Sequence, residues 1–364
     1  MRRATWSILV MAGVLGVVGA RGANSSPVGW SRDGIMYRTG WIALPTGDIR
    51  DTPMVIEAIG PDQLLVVTTD CLVILKGPRW TEQARASIRY GELPRILNRR
   101  FVVFSTRGSP RVTLVDSREI AHPKTFTVPG LRQLCCACLA ADARRLYIAG
   151  LPLKAVLTVD VATGVVIHRT ALHGVGYQLL LDPARRRLYA ITGPPELWGK
   201  KLGGEDCLQL EIIDPVATAQ RSRVGVALPW LDSTTWGANC GCLYALTETG
   251  TVLVVDPLRD IVAARVSGGW SAEDDGALDG LLFDDANDRL LVCSNESIYA
   301  FDAKTLTLDW HLPGGWAVPS MWPPGGGPAA RVYCGMPLGR GSSTDPVIGI
   351  LESGPVRQER AGRR

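Results

Sequence analysis

The chain has 364 residues, 46% of them hydrophobic and 20% charged, which is typical of globular proteins. Its net charge is +4, but residues 1–20 contribute +2 and residues 355–364 contribute +3, so the remaining body carries −1. Nucleic-acid binding needs a concentrated basic face, and this nearly neutral body argues against it. The 40 Gly and 24 Pro favour short strands and tight turns over long helices.

The N-terminus has the features of an export signal. Arg2 and Arg3 form a positive n-region, residues 6–19 form an apolar h-region of 14 residues, and small residues offer cleavage after Ala20 or Ala23. The h-region is shorter than the roughly 20 apolar residues that span a bilayer. We therefore expect an exported protein, periplasmic or extracellular, without membrane contact after cleavage; a retained anchor is the alternative.

One unit of short strands recurs along the rest of the chain. In each copy a second strand, which often ends in Asp, follows the first strand, and a third strand follows the second. A further apolar strand precedes the first strand in most copies. Four strands per copy at a period near 45 residues are typical of β-propeller blades. The repeated strand begins at Leu64, Phe101, Leu146, Leu188, Leu243, Leu290 and Val332.

These repeats predict an all-β fold, a seven-bladed β-propeller with four-stranded blades over residues 40–354. A lead-in at residues 21–39 precedes it and a basic tail at residues 355–364 follows it. The last copy lacks an outer strand, and residues 40–44, GWIAL, resemble the fourth strands of other copies. We expect this N-terminal strand to close the ring by pairing into the seventh blade, which removes an unpaired sheet edge.

The Asp residues that end the second strands are predicted to be structural. A carboxylate at a strand end can accept hydrogen bonds from backbone N–H groups of the next turn. Five such residues on five blades would not converge on one site. They are Asp116, Asp160, Asp214, Asp256 and Asp302.

Residues 144–312 resemble two related propeller families. The strands LYIAG, LYAITG and LYALTE, with second strands of the VVDP type, resemble YVTN-type repeats. Residues 300–305, AFDAKT, together with Trp310 resemble the repeat of quinoprotein propellers, although Leu306 stands where that family has Gly. Both resemblances imply a propeller scaffold, and neither implies a particular activity.

The nine cysteines include two closely spaced groups. Residues i and i+2 of a strand share a face, so the pairs Cys136/Cys138 and Cys240/Cys242 are predicted to be buried small hydrophobes. One or two disulfides, or a metal site, are the alternatives, although the spacings differ from those of zinc ribbons.

Large aromatic side chains in polar loops indicate a binding surface. Trp230, Trp236, Trp270 and Trp316 lie in loops that lead from fourth to first strands, and an insertion at residues 194–206 carries Trp198. Local packing of each Trp between blades is the alternative. The candidate ligand-binding residues are Trp198, Trp230, Trp270, Trp316, Asp232, Glu273, Asp274 and His173.

We predict that the protein is a monomeric, non-catalytic binding or scaffold module without a metal or cofactor. Its partner would be a small molecule, a glycan or a protein held on one propeller face. The alternatives are enzymes. Carboxylates such as Asp232, Glu273 and Asp274 would suit a metal-dependent lactonase-type hydrolase. Adjacent cysteines, here Cys135 and Cys136, occur in some quinoprotein alcohol dehydrogenases.

Export generates a direct prediction. Expression of the full chain in a secreting host should give an exported product that begins just after Ala20. N-terminal sequencing of that product is the measurement, and an exported protein with an intact Met1 would contradict the assignment.

Overall fold

A computed structural model of the chain describes residues 27–31, 34–43, 55–68, 71–87, 94–106, 108–182, 184–197, 207–215, 222–237, 240–267, 278–284, 288–294, 297–313, 317–322, 331–335 and 347–354. Within these ranges the regular structure consists of β-strands and one 3-10 turn, Pro195–Leu197. No helix in the described part of the chain is long and apolar enough to cross a bilayer.

Six antiparallel sheets of four strands each, here called blades 1 to 6, follow one another along the chain. In every blade the strands are hydrogen-bonded in chain order. Blade 1 contains β3 (Val55–Gly60), β4 (Gln63–Val67), β5 (Cys71–Lys76) and β6 (Thr81–Ser87). Blade 2 contains β7 (Arg95–Leu97), β8 (Phe101–Ser105), β9 (Arg111–Asp116) and β10 (Lys124–Thr127).

The next four blades repeat this arrangement. Blade 3 contains β11 (Gln133–Leu139), β12 (Arg145–Leu151), β13 (Ala155–Asp160) and β14 (Val166–Ala171). Blade 4 contains β15 (Val175–Asp182), β16 (Arg187–Gly193), β17 (Leu208–Ile213) and β18 (Arg223–Leu228). Blade 5 contains β19 (Leu231–Gly237), β20 (Cys242–Thr247), β21 (Thr251–Asp256) and β22 (Ile261–Ser267). Blade 6 contains β23 (Leu278–Asp284), β24 (Arg289–Ser294), β25 (Ser297–Asp302) and β26 (Leu308–Pro313).

The remaining sheet, here called the closing sheet, joins the two ends of the described chain. Its five strands are β1 (Pro27–Ser31), β2 (Gly34–Ala43), β27 (Ala317–Trp322), β28 (Arg331–Gly335) and β29 (Val347–Gly354), hydrogen-bonded in the order β1-β2-β29-β28-β27. Strand β27 contacts both β23 of blade 6 and β3 of blade 1. The closing sheet therefore lies between the first and the last blade.

The prediction of seven four-stranded blades is wrong, because the structure has six. The sequence repeat suggested one more blade of the same kind, but that copy is part of the five-stranded closing sheet. Strand β2 does pair with β29, from Ala43 opposite Val347 to Ile35 opposite Gly354. The extra strand is β1, which pairs with β2 and lies in the segment assigned to a lead-in.

Burial follows the position of a strand within its blade. First strands of neighbouring blades contact one another, as β11 contacts β15 and β19 contacts β23, so they line the centre of the ring. Second and third strands, such as β4 and β5, are buried over almost their whole length because blades pack against both of their faces. Fourth strands such as β22 alternate between exposed and half-buried residues.

Four of the five strand-end Asp residues accept backbone N–H hydrogen bonds from the next turn, as predicted: Asp116, Asp160, Asp256 and Asp302. The Asp160 carboxylate accepts hydrogen bonds from the backbone N–H and the hydroxyl of Thr163, both at 2.8 Å. Asp302 does the same with Thr305, at 2.8 and 3.0 Å. Leu306 follows that turn with a φ of 56°, the left-handed conformation that Gly adopts more readily than other residues.

The cysteine prediction is confirmed for one residue and wrong for another. Cys136 is buried on β11, and burial raises the pKa of its thiol, so it is a neutral core side chain; Cys138 is half-buried. Cys240 is exposed because it lies in the turn before β20, where the alternation of a strand does not apply. Five cysteines in the described part of the chain are free thiols: Cys71, Cys136, Cys138, Cys240 and Cys242.

The closing sheet leads to a stability prediction. Deletion of β2 should lower the melting temperature by at least roughly 5 °C, because it leaves β29 with an unpaired edge. Deletion of β1 alone is the control and should have a smaller effect, since β1 is already an edge strand. Thermal unfolding followed by circular dichroism measures both, and equal effects would contradict this role of β2.

Candidate functional site

The strand register divides the blade connections between two faces. In blade 4, Val175 lies opposite Gly193 and Leu208 lies opposite Leu228. The start of β15, the end of β16, the start of β17 and the end of β18 therefore share one edge. We call this edge the connection face, because it carries the fourth-to-first and second-to-third connections. The opposite edge, with the first-to-second and third-to-fourth hairpins, is the hairpin face.

A buried carboxylate lies between blades 3 and 4. The side chain of Glu211 on β17 has no exposed area, and the backbone N–H groups of His173 and Gly174 donate to it at 3.0 and 3.4 Å. The hydroxyls of Thr192, at 2.5 Å, and of Ser222 also donate to it. The carboxylate thus holds the connection that leads from blade 3 into blade 4.

The imidazole of His173 is the exposed member of this cluster. Its Nδ1 lies 3.2 Å from Glu211 Oε2, and 55% of its side chain is exposed. A carboxylate that is hydrogen-bonded to one ring nitrogen fixes the orientation of an imidazole and favours the tautomer with its proton on that nitrogen. Ser222 donates its hydroxyl to the same carboxylate, so the arrangement differs from a Ser–His–acid relay, in which the hydroxyl bonds to the imidazole.

The environment of Glu211 keeps it ionised. Burial alone would raise the pKa of its carboxyl group, but the hydrogen bonds from Ser222, Thr192 and His173 outweigh burial and hold the pKa below its usual value. At neutral pH the cluster therefore contains a buried negative charge that several donors share. Such a charge stabilises the fold only while its donors remain in place.

An aromatic pair lies nearby on the connection face. The Tyr177 and Trp230 rings meet edge to face, with centroids 5.4 Å apart, and the Tyr177 hydroxyl donates to the Pro194 carbonyl at 2.5 Å. Tyr177 is buried, whereas Trp230 is half-buried. The pair joins the first strand of blade 4 to the connection that enters blade 5, and Trp230 remains partly exposed.

The structure places three of the eight candidate ligand-binding residues. His173 and Trp230 lie in connections at the same face, and Asp232 is exposed on β19. Trp236, expected in the same loop as Trp230, instead lies on β19 and stacks on Tyr189 with centroids 5.3 Å apart. The other five candidates lie outside the described residues: Trp198, Trp270, Trp316, Glu273 and Asp274.

Sequence reasoning missed Glu211, the residue that organises this cluster. The available sign was a single acidic residue in LQLEII, an otherwise mostly apolar third strand. A charge at a position that the repeat makes apolar indicates a buried carboxylate with dedicated donors. Among the residues that the structure describes, no three His, Cys, Asp or Glu side chains gather as metal ligands.

One of three comparisons with known proteins supports the fold. No family model matches the chain, and no curated protein matches it either. Among solved structures, a chain of Kuenenia stuttgartiensis hydrazine synthase matches with a TM-score of 0.62 and 13% identity, over 85% of this chain and 98% of that chain. At this identity the likeness supports a β-propeller fold alone.

The buried carboxylate can be tested by substitution. Glu211→Gln should lower the free energy of unfolding at neutral pH by about 2–3 kcal/mol. The reason is that the new amide NH2, itself a donor, would face N–H and hydroxyl donors that now bond to a carboxylate oxygen. Urea unfolding measures the change. Glu196→Gln, which alters an exposed glutamate at the same face, is the control and should change stability by less than about 0.5 kcal/mol.

Comparison of wild type with Glu211→Gln also gives a pH prediction. The folded pKa of Glu211 lies below its unfolded value, so its contribution is complete above about pH 4.5 and is lost as the pH falls through the folded pKa. The stability difference between wild type and Glu211→Gln should therefore be constant near neutral pH and shrink as the pH falls below about 4.5. A difference that stays constant as the pH falls would contradict an ionised Glu211.

Proposed function

We propose that this β-propeller is an exported, non-catalytic binding module that holds its ligand on the connection face around blades 4 and 5. The observation that carries the proposal is the half-buried Trp230 ring, supported at its inner side by Tyr177. Export rests on the apolar N-terminal segment. The resemblance to YVTN-type and quinoprotein repeats agrees with a scaffold role, because both repeats describe blades rather than active sites.

The aromatic pair suits a binding role for energetic reasons. A Trp ring offers a large contact area and loses little rotamer entropy when it is fixed. The edge-to-face contact with Tyr177, and the hydrogen bond from Tyr177 to Pro194, already restrict the ring before a ligand arrives. A pre-ordered anchor reduces the entropy lost on binding.

The charges at this face favour a neutral or cationic ligand. Asp232 is exposed two residues after Trp230, and the ionised Glu211 lies beneath His173. Glycans, polar small molecules and basic peptides meet this requirement, and an anionic ligand would be repelled by Asp232. We propose that the protein binds such a partner as a monomer.

The alternative functions depend on other parts of the chain. A metal-dependent hydrolase would draw on Glu273 and Asp274, which lie outside the described residues. The observation that favours an enzyme is the oriented imidazole of His173, a potential general base. A general base acts only on a proton within its reach, so catalysis would require a substrate held beside His173.

The proposal can be tested with ligand arrays. Purified protein without residues 1–20 is applied to an array of neutral glycans and an array of short basic peptides, and each hit is titrated. Trp230→Ala should weaken binding of a hit at least about tenfold, since anchoring aromatic residues contribute the largest share of affinity. Asp232→Asn should weaken basic peptides more than neutral glycans.

The matched control is Leu258→Ala, which removes an exposed apolar side chain from a third-to-fourth hairpin on the opposite face. It should leave every titration unchanged. The proposal fails if neither array gives a hit, or if hits retain full affinity in Trp230→Ala. It also fails if Leu258→Ala weakens binding as strongly as Trp230→Ala.

A further inference from the structure

The hairpin face carries a second group of reactive side chains, at the edge of the blades opposite the aromatic pair. Cys240 and Gly241 lie in the turn that precedes β20, and Cys242 is the first residue of β20. A cavity of about 340 Å³ opens beside this turn, between blades 5 and 6. Its lining residues are Cys240, Tyr244, Phe283, Asp288, Ala303 and Lys304.

The turn holds the two thiols close together. Gly241 has a φ of 63°, which brings the chain back on itself, and its N–H donates to the Gly237 carbonyl at 2.8 Å. Residues i and i+2 of such a turn fall within the roughly 7 Å between Cα atoms that a disulfide allows. Cys240 is exposed and Cys242 is half-buried, so a reagent can reach the first thiol.

Neighbouring groups fix this arrangement. The Tyr244 hydroxyl lies 3.6 Å from Cys240 Sγ, and its ring stacks on Phe283 with centroids 5.0 Å apart. A Cβ atom at Gly241 would lie 2.2 Å from a guanidinium nitrogen of Arg185, so this cation packs directly on the turn. Only Gly fits at the middle position without displacing Arg185.

We propose that Cys240 and Cys242 form a thiol–disulfide exchange site that reduces low-molecular-weight disulfides bound in the adjoining cavity. The proposal rests on two neighbouring thiols of unequal exposure, a hydroxyl and a cation beside them, and a cavity that opens at the more exposed thiol. It assigns this face a role separate from the proposed binding face.

The acidity of the two thiols agrees with this role. The hydrogen bond with Cys242, helped by the Tyr244 hydroxyl, lowers the pKa of Cys240 to about 6. The hydrogen bond with Cys240 and burial raise the pKa of Cys242, so one thiol loses its proton well before the other. The other ionisable groups around the pair are Arg185, Asp256, Asp288 and Lys304.

The reaction balances as a two-step exchange. The Cys240 thiolate attacks one sulfur of a disulfide R–S–S–R, the S–S bond breaks, and one R–S⁻ leaves and takes up a proton. Cys242 then loses its proton and attacks the Cys240 sulfur of the mixed disulfide, which releases the second R–S⁻. The bound disulfide gains two electrons and two protons, and Cys240 and Cys242 lose them as they form their own disulfide.

The cavity indicates the size and charge of the substrate. Its volume is at the lower end of the range for small-molecule sites, so it suits one part of a low-molecular-weight disulfide while the rest extends into solvent. Lys304 and Asp288, which form an ion pair at this cavity, bring one charge of each sign. A small disulfide that carries both ammonium and carboxylate groups therefore suits the cavity.

Glutathione disulfide is a suitable probe, and mass spectrometry of proteolytic fragments reports the products. The reduced wild-type protein should release glutathione and form the Cys240–Cys242 disulfide. Cys242→Ser keeps a hydrogen-bond donor beside Cys240 but cannot complete the second step, so it should retain a stable glutathione adduct at Cys240. Cys240→Ser should form neither product at a comparable rate.

The pH profile of iodoacetamide labelling tests the geometry independently. Labelling of Cys240 should rise with a midpoint near its pKa of about 6 and then level off. At about pH 5.5 it should exceed that of an ordinary thiol roughly tenfold, because the larger thiolate fraction outweighs the lower nucleophilicity. Tyr244→Phe keeps the ring and removes the hydroxyl, so it should move the midpoint to higher pH.

Cys207→Ala, which changes a half-buried cysteine at the connection face, is the control and should alter none of these results. The inference is overturned if Cys242→Ser gives no more adduct at Cys240 than at Cys207. A stable glutathione adduct on wild-type Cys240 would also overturn it, because Cys242 would then fail to resolve the adduct. Exchange that occurs only with a disulfide-bonded protein would refute the small-molecule substrate.

Discussion

The fold depends on burial of both faces of each blade. Second and third strands carry apolar side chains on both sides, as the buried patterns of β4, β5 and β12 show. A single sheet of this kind would expose one apolar face, so each blade needs a neighbour on either side. Only a closed ring supplies two neighbours to every blade, and the closing sheet, with β2 paired to β29, completes it.

This requirement also explains where polar groups occur inside the ring. A buried charge between blades is tolerated only when donors from both sides satisfy it. Glu211 meets that condition through the connection from blade 3 and hydroxyls on blade 4 and the segment before β18. The same hydrogen bonds fix the His173 backbone and ring, so a scaffold interaction positions an exposed side chain at the connection face.

The two faces of the propeller differ in chemistry because different connections end there. The connection face presents Trp230 with Tyr177 and His173 with Glu211. The hairpin face presents short turns, and one of them brings Cys240 and Cys242 beside a cavity that blade 6 helps to line. Short turns on a rigid ring hold such groups with little freedom, whereas the longer connections can vary without disturbing the blades.

The sequence by itself determined the all-β propeller class, the period of its strands and the role of the Asp-terminated turns. These features are local, since a strand pattern, a turn and a strand-end carboxylate such as Asp160 each depend on a few adjacent residues. It also indicated that an N-terminal strand pairs at the end of the chain. Only the tertiary structure decided that six blades have four strands and that the last repeat belongs to a five-stranded sheet, because strand number in that sheet depends on pairing between distant segments. The hydrogen-bond partners of Glu211 could not be predicted from the sequence, because packing between blades brings them together. The exposure of Cys240 could not be predicted either, because it depends on where β20 begins.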